Sequence, residues 1–246
     1  MLFDLDTTTL AALSIALFGA AFVRGYSGFG FSAIFIAFAS LLTNPVPLIP
    51  VVFTCEILMT AVQARGIRGH IDWRRVLTLL AGAASVLPFS VWFVLSTGET
   101  TARFAVSAIV LVMSLILLTG WTIQRKIGTI GHGGVGMISG LFNAVGVGGL
   151  PVAAFMTAQP MAAATFRATM IVYLTGLDLI TLPIMWAGGG VTWETDKAAA
   201  FAFPILLIGV LLGGRQFLSA SPTTFRKFAV MLLLTLSILG LVRVFL

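Results

Sequence analysis

A chain of 246 residues that is 59% hydrophobic, holds 26 glycines and is only 9% charged is not a water-soluble globule. A soluble domain is about 25% charged, and a sphere of this size needs more polar surface than this chain carries. Disordered, fibrous and disulfide-rich classes are excluded on the same grounds, the last because Cys55 is the single cysteine.

What remains is an all-α polytopic membrane protein. The net charge of +6 then reports basic cytoplasmic loops beside anionic lipid, not a nucleic-acid partner. Residues 1–10 carry Asp4 and Asp6 and no basic residue, so no cleavable signal peptide is expected there. In chain order the apolar segments are A (residues 8–23), B (27–42), C (47–64), D (76–95) and E (101–123). After the basic linker Gln124-Arg125-Lys126 the pattern restarts as A′ (133–143), B′ (149–158), C′ (166–187), D′ (198–218) and E′ (224–245). A crossing needs about 20 apolar residues. C, D, E and their primed counterparts qualify, whereas A, B, A′ and B′ are short.

The restart is an internal repeat. Gly28-Phe29-Gly30 aligns with Gly146-Val147-Gly148 at an offset of 118, Asp72-Trp73 with Thr192-Trp193 at 120, and Arg103-Phe104 with Lys227-Phe228 at 124. Each half has an odd number of crossings, whether A and B both cross or form a re-entrant hairpin. The second half therefore starts on the opposite side, which makes two inverted repeats, a frequent transporter architecture. We read residues 1–123 as the first repeat, 124–132 as a cytoplasmic linker and 133–246 as the second. Each repeat is a broken short-helix hairpin plus three transmembrane helices. Charge agrees with this layout. Arg65, Arg68, Arg74, Arg75, Arg125, Lys126, Arg215, Arg226 and Lys227 all fall on loops that parity places together, which the positive-inside rule puts in the cytoplasm.

Chemistry is expected at two places. The A–B junction contains Arg24, Ser27, Gly28 and Gly30; the A′–B′ junction contains Asn143, Gly146, Gly148, Gly149 and Pro151, and Arg167 opens C′ soon after. Glycine ends a helix readily, and proline suits the first turn of the next one. A helix start exposes free N–H groups and about half a positive charge, while arginine binds oxyanions through two parallel bonds. The ligand expected is a small anion held by Arg24, Ser27, Gly28, Gly30, Asn143, Gly146, Gly148, Gly149 and Arg167. Plain helix packing by the glycines and snorkelling by the arginines are the structural alternatives. The second place is Glu56 and Asp178, acids in the middle of C and C′, 122 residues apart and so related by the repeat. Ionisable groups at that depth are functional by default, here as proton carriers, with a structural ion pair as the alternative.

Gly136-x-x-x-Gly140 and Gly209-x-x-x-Gly213 match a helix-contact motif that serves either within a chain or in a homodimer. Trp73, Trp121 and Trp193 sit at segment ends as interfacial anchors. His70 and His132 lie in or beside basic loops, so neither a metal nor a cofactor is expected.

With both glycine-rich junctions in view, the chain resembles the sulfite exporter TauE/SafE family over essentially its whole length. The best-matching stretch is residues 140–151, GLFNAVGVGGLP. The first-half counterpart, residues 25–32, lacks the double glycine and the proline, and Leu150 stands where a further glycine is common. The resemblance implies a secondary transporter, not an enzyme, that exports sulfite or an organosulfonate such as sulfoacetate across the bacterial inner membrane. Proton coupling is the expected drive. A passive anion channel of the same fold is the nearest alternative. A more distant one is an intramembrane serine protease built on Gly25-Tyr26-Ser27-Gly28, which lacks a histidine base inside any apolar segment.

The topology is testable with cysteines introduced in residues 65–75, 125–126 and 194–197, probed on intact cells with an impermeant thiol reagent. We expect labelling at 194–197 and protection at the other two. The reverse pattern contradicts the assigned orientation.

Overall fold

The structure is a computed structural model that describes residues 3, 5–123, 127–217 and 222–245. The linker residues Gln124, Arg125 and Lys126, together with Asp4, lie outside the described residues, as do the side chains of Arg226 and Lys227. Every extended element among the described residues is a helix: α1 (Thr7–Ser27), α2 (Phe31–Leu42), α3 (Ile49–Ile67), α4 (Trp73–Ala84), α5 (Leu87–Leu95), α6 (Glu99–Thr119), α7 (Thr129–Asn143), α8 (Gly149–Thr157), α9 (Ala163–Ala187), α10 (Trp193–Phe217) and α11 (Pro222–Phe245).

Five helices are long and apolar enough to cross a membrane: α1, α3 with its flanking turns, α6, α9 and α10. The α4–α5 pair is apolar enough only when taken together, as a broken span or a re-entrant pair bent by 50°. This makes the chain a multi-pass membrane protein. Its outer surface fits lipid, with Ile15, Phe89, Trp92, Leu179, Ile208 and Leu239 all exposed. Several bounds move by a few residues, B starting at Phe31, A′ at Thr129 and E ending at Thr119, and two differences have a visible cause. A is longer than expected, because Asp6 caps α1 by accepting from the Thr9 N–H (2.5 Å) and the helix runs on to Gly28. D is one run in sequence but breaks at Ser85–Val86, just before Pro88 in the first turn of α5.

Partnership crosses between the halves. α1 packs along α10 and α4 along α7, α6 packs along α11, and α3 along α9. The opening helix of each half thus packs on the fourth segment of the other. Glycine sets the closeness of these contacts. A Cβ on Gly25 would strike the Val210 carbonyl, and one on Gly213 the Phe22 carbonyl. On the other side a Cβ on Gly82 would strike Gly133, and one on Gly136 the Leu79 carbonyl. Both G-x-x-x-G motifs are therefore used inside the chain.

The hairpins return to the side they start from. The Ile123 N–H donates to the Ala158 carbonyl (2.7 Å), tying the end of α8 to the segment that leaves α6. Asp72 and Arg75 of the C–D loop share a cavity wall with Gly128 and Gln159, so these connections lie on one face. The start of α1, Leu48 before α3, and Ala198 at the start of α10 line a recess together. These two groups sit at opposite ends of α3, roughly 28 Å apart at 1.5 Å per residue. The basic C–D loop is on one face, and the exposed Lys197–Glu194 pair and the half-buried Arg103–Glu99 pair belong to the loops expected on the other.

Two substitutions separate packing from helix propensity. Gly213→Val should destabilise the protein by about 1–3 kcal/mol, the usual effect of overpacking. Gly19→Ala, on an exposed face with free space around it, should be neutral or stabilising by up to about 1 kcal/mol. Unfolding in detergent measures both. Equal stability of the two variants contradicts the close-contact account.

Candidate functional site

The first junction is a chain reversal built by glycine. Gly28 ends α1 with φ +84°, and Gly30 precedes α2 with φ +91°, both in the left-handed region. The Ser27 hydroxyl donates to the Val23 or Phe29 carbonyl (2.8 Å each) and accepts from the Phe29 N–H (3.3 Å). Its partners are main-chain groups, with no general base among them. The first helical bond of α2 runs from the Ile34 N–H to the Gly30 carbonyl (3.0 Å). The N–H groups of Phe31, Ser32 and Ala33 thus precede the helical ladder and have no acceptor within it.

The second junction uses a different turn. Gly146 has φ +79°, whereas Gly148 is right-handed. Ser139 donates to the Gly148 carbonyl (2.6 Å) and itself accepts from the Tyr173 hydroxyl (2.6 Å). Asn143 at the end of α7 donates to Thr181 on α9 (3.0 Å). A Cβ on Gly148 would meet Asn143 and Ser139, and one on Gly149 would meet Leu174. Both junctions are buried and closed over by protein.

The arginines are not displayed at the helix starts. Arg24 sits in the last turn of α1 and is fully buried (0% exposed). Its Nη1 pairs with Glu56 Oε1 (3.2 Å), and its Nη2 donates to Thr60 (3.0 Å). Arg167 donates from Nε (3.2 Å) and Nη2 (2.7 Å) to the Gly25 carbonyl, placing a cation at the C-terminal end of α1 where the helix dipole favours it.

The two acids come together. Glu56 and Asp178 are each 1% exposed. The Asp178 carboxyl interacts with that of Glu56, and Arg24 is within electrostatic reach of both. No donor among the described residues reaches either Asp178 oxygen. Around them Thr60 and Thr175 share a 2.6 Å hydrogen bond that joins α3 to α9. The sequence reading missed Thr60, Thr175 and Thr181. Their signal is spacing: Glu56 and Thr60 are four apart, Asp178 lies three after Thr175 and three before Thr181, and such residues share one helix face. Chemically the cluster is a buried guanidinium, two carboxyls and a hydroxyl bridge, one helical turn from the first glycine break.

Removing one member of a buried ion pair strands the other, which costs about 3–5 kcal/mol. Arg24→Leu should lose that much stability, and Arg24→Leu with Glu56→Gln should regain most of it. Denaturation of the detergent-solubilised variants measures this. A double variant no more stable than the single one contradicts the pairing.

Comparison with known proteins adds the lineage. The family model described as "Sulfite exporter TauE/SafE" matches residues 13–240. A protein of Cupriavidus necator described as a "Probable sulfite/organosulfonate exporter TauE" is 32% identical over 234 residues, covering 87% of each chain. No solved structure gives a significant match. On that match along nearly its whole length, and on the helical membrane architecture that accompanies it, the chain belongs to the sulfite exporter TauE/SafE family.

Proposed function

We propose that this protein is a secondary transporter that moves sulfite or a small organosulfonate such as sulfoacetate across the bacterial inner membrane, with a proton bound alongside the anion. The observation that carries this reading is the buried cluster of Arg24, Glu56 and Asp178 set beside the first junction. The printed description of the 32% identical relative supports the substrate class.

The anion site in this reading is the pair of junctions. Free N–H groups at the start of α2 and the positive dipole end of α8, whose Leu150 N–H is held by the Val147 carbonyl (3.2 Å), face an oxyanion, with Ser27 and Asn143 as neutral partners and Gly28, Gly30, Gly146, Gly148 and Gly149 leaving room for close approach. Arg24 and Arg167 supply positive charge from beside the first break. Both now hold protein acceptors, so an arriving anion competes with Glu56 for Arg24 and with the Gly25 carbonyl for Arg167. Charge balance then requires the proton. Arg24, Arg167, Glu56 and Asp178 sum to zero when all are ionised, and a singly charged sulfonate head added to them leaves a net negative charge in a dry interior unless a carboxyl is protonated. A proton held between Glu56 and Asp178 also supplies the donor that Asp178 otherwise lacks.

The halves, residues 1–123 and 133–246, act in this proposal as inverted repeats linked through residues 124–132 on the cytoplasmic face. The exchanged partnerships of α1 with α10 and α4 with α7 support it, as do hairpins that open on opposite faces. Rocking one half against the other would expose the closed junctions alternately to each side. Export of anion and proton together runs down the outward gradient of the anion, and an imposed inward proton gradient drives the same carrier in reverse.

Proteoliposomes test this reading. Wild type should accumulate sulfoacetate when an inward proton gradient is imposed. Asp178→Asn should abolish that accumulation while retaining exchange of labelled for unlabelled substrate. Gly148→Val should abolish both, because its side chain would fill the space held by Asn143 and Ser139. Uphill accumulation by Asp178→Asn at the wild-type rate contradicts proton coupling. Failure of wild type to exchange any sulfonate or sulfite contradicts the substrate assignment.

A further inference from the structure

A separate cavity lies on the basic face. Its volume is about 490 Å³, and its wall includes Arg74, Arg75, Thr78, Thr129, His132 and Gln159. The one acid on that wall, Asp72, is already engaged. Its carboxylate accepts from the Arg75 N–H (3.1 Å) and pairs with the Arg75 guanidinium (3.3 Å). Arg74 is exposed and has no ion-pair partner among the described residues. The cavity therefore carries an uncompensated positive charge.

One further feature suits an anion directly, and a second leaves a polar group beside it unsatisfied. The N-terminus of α7 forms part of the wall, and its cap, Gly128, contributes no side-chain bond to the first free N–H groups. His132 is buried, with Nδ1 bonded to the Gly128 carbonyl (2.9 Å). A carbonyl only accepts, so Nδ1 carries the proton, and Nε2 is a buried acceptor without a partner, which an oxyanion meets only across a shared proton. The ring edge or face meets Phe155 of α8 in a T-shaped contact at 5.2 Å. Position completes the argument. Gln159 and Pro160, just past the end of α8, belong to the cavity, while the start of α8 is the second junction. A nine-residue helix, roughly 14 Å long, separates the cavity from the buried glycines.

We propose that this cavity is an oxyanion-binding vestibule, which takes the sulfonate or sulfite head of a soluble anion between Arg74 and the N-terminus of α7 before the anion reaches the junctions. The choice of an organosulfonate as ligand rests on the exporter reading; the affinity for an oxyanion does not. Lipid phosphate offers the same chemistry, so the test separates the two sources.

Thr78→Cys places a thiol on the cavity wall, and the native Cys55 is fully buried and silent. The purified variant, in nanodiscs of neutral lipid, is labelled with an anionic and a cationic methanethiosulfonate reagent of similar size. A focused positive field raises local anion concentration, so the anionic reagent should react about tenfold faster than the cationic one after correction for their rates with free thiol. Sulfoacetate should slow the anionic reagent in a saturable way. Adding Arg74→Gln, at an exposed position that the fold does not need, should remove most of the preference and the protection. Equal rates for the two reagents, or no protection by sulfoacetate, would overturn the proposal. Protection seen only when phosphatidylglycerol is added to the discs, and never with sulfoacetate, would overturn it in favour of a lipid headgroup. Because the readout is local labelling, its failure with intact proteoliposome transport removes the vestibule alone. Intact labelling with failed transport removes the exporter reading and leaves the vestibule.

Discussion

A guanidinium and two carboxyl groups held inside an apolar helix bundle dictate how the rest of this chain packs. Neither Arg24 nor Glu56 reaches solvent, and in hydrocarbon an uncompensated charge is among the most expensive groups a protein can carry. The cluster is stable only where three helices meet. α1 brings Arg24, α3 brings Glu56 and Thr60, and α9 brings Asp178 and Thr175. The contact between α3 and α9 joins the two halves along this seam, so the polar core and the interface between halves are one structure.

The same requirement explains the glycines. A helix break leaves N–H and carbonyl groups without partners, and inside a membrane these have to be surrounded by protein or water. α10 closes on α1 to within contact of bare backbone, and α7 closes on α4 in the same way. Any side chain at Gly25, Gly213, Gly82 or Gly136 would hold these helices apart. The interlock also suggests how motion is confined. Each opening helix is fastened to a span of the opposite half, so in the proposed rocking each junction moves together with that span.

Much of the architecture was legible in the sequence because its signals are coarse. Composition alone demands helices in lipid, and the ten apolar segments map onto the eleven helices with one internal break, at Ser85–Val86. The acids stand out in the sequence because a charge in an apolar run has no cheap explanation, and the repeat offset relates Glu56 to Asp178, which the fold brings together. Arg24 was legible as important but not in its partner. Position in a list of residues does not say which way a side chain turns, and a buried arginine is drawn to the nearest acid more strongly than to an open helix end. The threonines escaped because serine and threonine are tolerated in membrane helices, where their hydroxyls bond back to the preceding turn, as Thr60 does to Glu56 and Thr175 to Ile171. Only their spacing relative to the acids distinguishes them.

The central claim is that anion and proton meet at the Arg24–Glu56–Asp178 cluster. Calorimetric titration of sulfoacetate into the purified protein, repeated in buffers of equal pH and different ionisation enthalpy, reports how many protons accompany each anion. The account predicts net proton uptake on binding by wild type, and none by Asp178→Asn. Binding enthalpies of wild type that do not change with the buffer would contradict it.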